Sequence, residues 1–190
     1  MSRIPILSVE EMTVEQRRVY DTVVSGPRGE LKGPLMAALH RPELADKWQQ
    51  FGAMLRYGTS FPPRLSELAI LVTAHHYQCA LEWHFHEKPA RDAGLSDDII
   101  EDLRLGRTPT IDDDDALDVY RFSRELHSLS RVGEASYAAV LDRWGVVGVV
   151  ELTALIGYYT MVAMTLNTHA YSLPKGVRHP FQPLPAIERS

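Results

Sequence analysis

The hydrophobic positions of the chain recur with helical spacing almost everywhere, and no long alternation typical of a strand is present. In one segment, residues spaced at i, i+3, i+4 and i+7 place a single carboxylate on an apolar stripe; they are Glu67, Ile70, Leu71 and Ala74. Similar stripes recur before and after this segment. The pattern therefore predicts an all-α fold.

Start and stop signals predict where the helices begin and end. The expected starts are Thr13 (a capping box with Gln16), Pro42, Pro62, Ser96, Asp112 and Gly133. The acidic run Asp112–Asp115 suits the positive N-terminal end of a helix. We do not interpret it as a calcium loop, because the glycine and distal glutamate of an EF-hand are absent.

The length of 190 residues predicts a single all-helical domain over residues 1–190. We divide it into an N-terminal helical extension (about 1–60), a core (about 61–173) and a proline-rich tail (174–190), which is expected to be extended. A weak internal repeat relates residues 67–71 to residues 151–155. It suggests a duplicated helical hairpin of which only the first copy keeps reactive side chains.

A long segment from Leu152 to Pro174 contains no Asp, Glu, Lys or Arg. It is long enough to span a bilayer. Its Thr, Asn and His residues, and the absence of a basic flank, favour a helix buried in a helical protein or its oligomer. We therefore expect no membrane insertion, and we expect self-association, because one small monomer cannot cover so much apolar surface.

Charge and cysteine content narrow the function classes. The 20 basic and 25 acidic residues give a net charge of -5, and no cluster of Lys and Arg could follow a phosphate backbone. Nucleic acid is therefore not an expected partner. Cys79, the single cysteine, excludes an internal disulfide, and the first residues lack the apolar core of a signal peptide. The expected location is the cytoplasm.

Four polar or reactive residues interrupt otherwise apolar helices, and they are the candidate catalytic residues: Glu67, Cys79, Glu82 and His86. The last three are spaced at i, i+3 and i+7, so that on one helix they would share a face. A carboxylate buried on a stripe needs a partner, and a nearby histidine would make an acid–base pair. A thiol beside such a pair could be activated as a thiolate.

The spacing Glu67-x11-Cys79-x2-Glu82-x3-His86, followed by Ala90 and Gly94, resembles the carboxymuconolactone decarboxylase and alkylhydroperoxidase D-like superfamily. The resemblance implies an all-helical bundle, a cytoplasmic homo-oligomer (a trimer or hexamer) and no organic cofactor. In the peroxidase branch the motif has a second cysteine where this chain has Glu82. A two-cysteine peroxide cycle is therefore not expected, and the Glu–His spacing is similar to that of the decarboxylase branch.

The resemblance implies cofactor-free acid–base chemistry, a decarboxylation or related lyase reaction, on a small carboxylated or carbonyl substrate. In this hypothesis Glu67 and His86 deliver a proton while Glu82 orients His86. A cationic anchor for the substrate is expected among Arg56, Arg64 and Arg104. Two alternatives remain open: peroxiredoxin-like peroxide reduction through Cys79, and a non-catalytic ligand-binding oligomer.

Structural explanations also stay open for the individual residues. Cys79 could be a packing residue, and Glu67 could accept a hydrogen bond from Tyr77 instead of serving catalysis. The histidines His75, His76, His84 and His86 lie close together in the sequence, which raises the question of a metal. The zinc motif H-E-x-x-H is absent, so no metal is expected.

Overall fold

The computed structural model describes residues 2–181. Its helices are α1 (Val14–Ser25), α2 (Pro34–Ala38), α3 (Pro42–Tyr57), α4 (Pro63–His76), α5 (Ala80–Asp92), α6 (Asp97–Arg104), α7 (Asp114–Leu129) and α8 (Glu134–Thr168), preceded by a 3-10 turn at Val9–Glu11. No strand occurs within residues 2–181. The all-α prediction is confirmed.

The predicted start signals act as helix caps. The side chains of Thr13, Ser96 and Asp113 accept hydrogen bonds from backbone N–H groups in the first turns of α1, α6 and α7. The acidic run is thus a helix N-terminus, as expected. Helix α2 is not predicted from the sequence; it follows Gly33, whose φ of 61° lies in the left-handed region that glycine tolerates.

Helix α4 is the centre of the molecule and packs against α5, α7 and α8. Every residue from Leu65 to Ala74 is buried, so the whole circumference of the helix is enclosed and not only the predicted stripe. A carboxylate on this helix cannot reach bulk water by turning. Glu67 must therefore find its partner inside the protein.

A short turn at residues 77–79 separates α4 from α5. Gln78 adopts a left-handed conformation (φ 48°), and Cys79 becomes the N-cap of α5. The expectation that Cys79 shares one helix with Glu82 and His86 is therefore correct only for the last two. Helix α5 continues through Pro89 and presents Glu82 and His86, one turn apart, to the interior.

Helix α8 contains a kink at Gly145 (φ 66°, ψ -173°) and runs on to Thr168. It is the one described helix that is long and apolar enough to cross a membrane, and half of its most apolar window is buried inside the molecule. Unlike the α4–α5 segment, the repeated segment from Glu151 onward contains no turn. The sequence repeat therefore has no matching hairpin in this half of the chain.

The first part of the proline-rich tail packs against helices of the same chain. Residues 174–181 form no helix, and the buried ring of Phe181 makes edge contacts with His75 and Trp83 at centroid distances of 5.5 and 5.3 Å. Arg104 donates a hydrogen bond to the carbonyl oxygen of Pro180. The predicted tail beyond Phe181 lies outside the described residues.

Candidate active site

Glu67 and His86 form a direct hydrogen bond across the α4–α5 interface. The distance from Nδ1 of His86 to Oε2 of Glu67 is 2.6 Å, and both residues are only 6% exposed. The partner of Glu67 is therefore His86 and not Tyr77. A carboxylate that accepts from Nδ1–H leaves Nε2 as the basic nitrogen of the neutral ring.

The ring of His86 is fixed on a second side by Tyr159 of α8. The two rings meet edge to face at a centroid distance of 5.0 Å, and Tyr159 is buried. Packing and a hydrogen bond thus hold the imidazole in one orientation. A proton-transferring group gains from such positioning, because little reorganisation remains for the reaction itself.

Glu82 is the most unusual residue of the site. It is 1% exposed, and neither of its carboxyl oxygens has a hydrogen-bond partner among the described residues. Because burial penalises the charged form, the pKa of Glu82 is raised well above its ordinary value. Burial therefore favours the neutral, protonated form of this carboxyl group.

Glu82 and His86 line a common cavity of about 60 Å³, enclosed by residues from α2, α5 and α8 and from the loop before α2. Its walls include Leu35, Phe85, Tyr158, Tyr159 and Val162. The cavity is mostly apolar, with the carboxyl and imidazole groups as its reactive functions. This is the composition typical of a small-molecule site.

Three cationic side chains lie at the same cavity: Arg28, Lys32 and Arg56. Of the anchors expected from the sequence, only Arg56 lies here. Arg64 instead pairs with Asp113 at 3.0 Å, and Arg104 pairs with Glu101 at 2.6 Å. Arg28 and Lys32 are not predicted from the sequence, because they precede a short helix that has no periodic signal.

A larger cavity of about 480 Å³ lies on the other side of the Glu67–His86 pair. Glu67, Tyr57, Pro89 and Asp92 contribute to its wall, and Arg56 lines both cavities. The hydrogen-bonded pair thus separates a small inner cavity from a wider one. Of the pair, Glu67 faces the wider cavity and His86 faces the smaller one.

Cys79 is close in sequence to this site but lies in a different environment. It is 1% exposed and is not among the described residues that line the cavity of Glu82 and His86. Burial, and secondarily charge on Glu82, raises the pKa of the Cys79 thiol to about 12. The N–H groups of Leu81 and Glu82 at the start of α5 lower this pKa, but by less.

We expect Cys79 of the folded protein to react slowly with iodoacetamide near pH 8, because its thiol remains protonated there. The alkylated fraction can be followed by mass spectrometry as the pH is raised, with the urea-unfolded protein as the fast-reacting control. Glu82→Gln should lower the apparent pKa of the thiol while leaving it above the free value, since burial persists. Rapid alkylation with an apparent pKa below that of free cysteine would show an activated thiolate instead.

The histidines that are clustered in the sequence do not share one site in the structure, because His86 pairs with Glu67 and His76 lies elsewhere. His76, at the end of α4, stacks on His127 of α7 at 4.7 Å beside a separate cavity of about 290 Å³. Burial, with a smaller contribution from charge on His76, lowers the pKa of His127 to about 4. Within residues 2–181 no three His, Cys, Asp or Glu side chains are grouped as metal ligands would be.

Comparison with protein families agrees with this site. Residues 42–125 match the model of the carboxymuconolactone decarboxylase family. This segment of the chain is similar to the carboxymuconolactone decarboxylase family. The match contains all four candidate residues predicted from the sequence: Glu67, Cys79, Glu82 and His86. No curated protein is similar enough to the chain to count as a relative.

The site extends beyond the part of the chain that matches the carboxymuconolactone decarboxylase family. Arg28 and Lys32 precede residue 42, while Tyr158 and Tyr159 follow residue 125. Glu67, Glu82 and His86 thus lie within the matched segment, whereas much of the cavity wall lies outside it. The matched segment therefore contains the candidate reactive groups, whereas residues outside it form much of the wall that gives the cavity its shape.

Proposed function

We propose that the protein is a cofactor-free acid–base enzyme that decarboxylates, or otherwise protonates at carbon, a small substrate with a carbonyl group. The observation that carries this proposal is the pairing in one cavity of a buried, unpartnered Glu82 with His86, whose Nδ1 is held by Glu67. A neutral acid and an oriented base in a water-poor cavity are the components that such chemistry requires.

In the proposed step, the bond between the leaving carboxylate and the substrate carbon breaks. Its electron pair forms an enolate with the neighbouring carbonyl group, and carbon dioxide departs. The proton of Glu82 passes to the carbanionic carbon, which leaves Glu82 ionised. His86 then returns a proton from solvent to Glu82, while the Glu67 carboxylate stabilises the imidazolium that forms on the way.

These roles differ from those expected from the sequence. Glu67 is the carboxylate that is hydrogen-bonded to His86, so we assign orientation of the imidazole to Glu67. Glu82 keeps its proton through burial, so we assign proton donation to Glu82. Both assignments follow from the different surroundings of two chemically similar carboxyl groups.

Peroxide reduction through Cys79 has less support. A thiolate is the reactive species in such chemistry, and the raised pKa of Cys79 disfavours it. Glu82 also replaces the second cysteine with which the peroxidase branch forms its disulfide. Cys79 is better explained as a small packing residue at the start of α5.

The test is to incubate a panel of β-keto acids and carboxylated lactones with the protein in D₂O. Carbon dioxide release and deuterium at the protonated carbon would be followed by NMR. We expect turnover of at least one member, retained in Cys79→Ser and lost in His86→Gln. Absence of turnover and of deuterium exchange throughout the panel, with consumption of one equivalent of peroxide at Cys79, would overturn the proposal.

We also propose that the protein is a homo-oligomer. The exposed surface of α8 includes the large apolar side chains of Val146, Val147, Val150, Met161 and Met164. Burial of such a surface against another copy is favourable by about 25 cal/mol per Å². Light scattering at micromolar concentration should give a multiple of the 21.4 kDa chain mass, lowered by Val147→Lys. A monomeric mass for the wild type would contradict this proposal.

A further inference from the structure

The cavity of Glu82 and His86 continues outward into a space that the acid–base step does not use. This outer cavity measures about 130 Å³ and is lined by Arg28, Glu30, Lys32, Leu35, Arg56 and Tyr57. Four of these residues also line the inner cavity. A ligand can therefore place one end beside the reactive groups and the other end among cationic side chains.

The cations of the outer cavity are not equivalent. Lys32 is paired with Glu30 at 2.5 Å, which offsets its charge. Arg28 and Arg56 are half-buried and have no carboxylate partner among residues 2–181. Nε of Arg28 is moreover buried without any hydrogen-bond partner. A partly desolvated guanidinium without a counter-ion is unfavourable, so the two arginines create a need for an anion.

The chain positions Arg28 from both sides. The hydroxyl of Tyr158 accepts a hydrogen bond from Arg28 at 3.5 Å. On the opposite side lies Gly52 of α3. A Cβ atom at this position would collide with both the phenol of Tyr158 and the guanidinium of Arg28. The absence of a side chain at position 52 is thus a requirement for this arrangement.

We propose that Arg28 and Arg56 form an anion clamp that binds a carboxylate group of the substrate, so that Arg28, which lies outside the family-matched segment, helps to determine which substrates are accepted. This inference rests on the proposed function for the identity of the reactive end. A guanidinium presents paired donors that match a carboxylate, and two of them can hold both of its oxygens. The inner cavity admits only a few non-hydrogen atoms, so the substrate is a short keto acid or lactone acid whose retained carboxylate is distant from the reacting carbon.

The clamp can be tested by calorimetric titration with 4-oxopentanoate and with its uncharged counterpart 4-oxopentanamide. These probes share a carbon skeleton and differ in charge. The wild type should bind the acid at least about ten-fold more tightly than the amide. In Arg28→Gln and in Arg56→Gln, the affinities for the acid and for the amide should differ by no more than about three-fold. Added salt should weaken binding of the acid to the wild type but not binding of the amide.

Arg64→Gln is the matched control, because it removes the same charge from a residue that is already paired with Asp113. Its preference for the acid should equal that of the wild type. Gly52→Ala should weaken binding of the acid by displacing Arg28; if this variant does not fold, the glutamine variants still decide the question. Equal binding of acid and amide, no binding of either at millimolar concentration, or an equal effect of Arg64→Gln would overturn the clamp.

The outcome separates the clamp from the proposed function. Arginine-dependent binding of 4-oxopentanoate without any deuterium exchange at carbon would retain the clamp and contradict the acid–base enzyme. Deuterium exchange that is insensitive to Arg28→Gln and Arg56→Gln would retain the enzyme and contradict the clamp. Because the titration measures binding alone, it does not depend on turnover.

Discussion

Turnover of the substrate identified by the panel should fall by about 10²–10⁴-fold in His86→Gln, because proton transfer by a positioned side chain contributes about that much to a rate. The fall in turnover should be somewhat smaller in Glu67→Gln. Its side-chain oxygen can still accept a hydrogen bond from Nδ1 of His86, but the negative charge that stabilises the imidazolium is gone. The measurement is kcat, with little change in KM if the residues act in the transition state.

Glu151→Gln provides the matched control for these variants. Glu151 is the residue that corresponds to Glu67 in the sequence repeat, but its carboxylate accepts hydrogen bonds from Ser60 in an exposed setting. Its replacement should leave kcat unchanged. Far-ultraviolet circular dichroism would verify that each variant keeps its helical content. A His86→Gln protein with wild-type kcat would contradict the assignment of His86 as the base.

The pH dependence of stability should differ strongly between the wild type and Glu82→Gln. The raised pKa of Glu82 means that the folded state keeps a proton that the unfolded chain releases above its ordinary pKa. The contribution of Glu82 to the free energy of unfolding should therefore decline as the pH rises above about 4.5, by up to about 1.4 kcal/mol per pH unit. The decline ends at the folded-state pKa of Glu82. The glutamine variant lacks this contribution and should gain stability relative to the wild type as the pH rises.

Urea unfolding at several pH values between 5 and 8 measures this difference. Glu87→Gln, a more exposed change on the same helix, is the control and should run parallel to the wild type over this pH range. Parallel curves for the wild type and Glu82→Gln would mean that Glu82 ionises in the folded protein as readily as in the unfolded chain.

The sequence predicts most of the helices, because the starts of these helices have local signals. Thr13, Ser96 and the acidic residues before α7 occupy cap positions whose chemistry depends only on neighbouring residues. Helix α2 escapes prediction because five residues are too few to show a period. The full enclosure of α4 is also invisible in its pattern, since it results from three helices packing around it.

The candidate site is predicted in part. Glu67, Glu82 and His86 are recognised from their spacing, and the family match covers all three. The angle between α4 and α5 decides which carboxylate accepts the hydrogen bond from His86. This angle cannot be derived from the spacing of residues along the chain. Arg28 is missed for a similar reason, because it reaches the cavity through the space left by Gly52, far away in sequence.

Isotope-edited infrared spectroscopy tests, without any substrate, whether Glu82 is a neutral acid beside an oriented His86. The protein would be labelled with ¹³C at the glutamate carboxyl groups, and the spectrum of Glu82→Gln would be subtracted from that of the wild type at neutral pH. We predict that the difference contains the carbonyl band of a protonated carboxylic acid. A difference that contains only the bands of an ionised carboxylate would contradict the account.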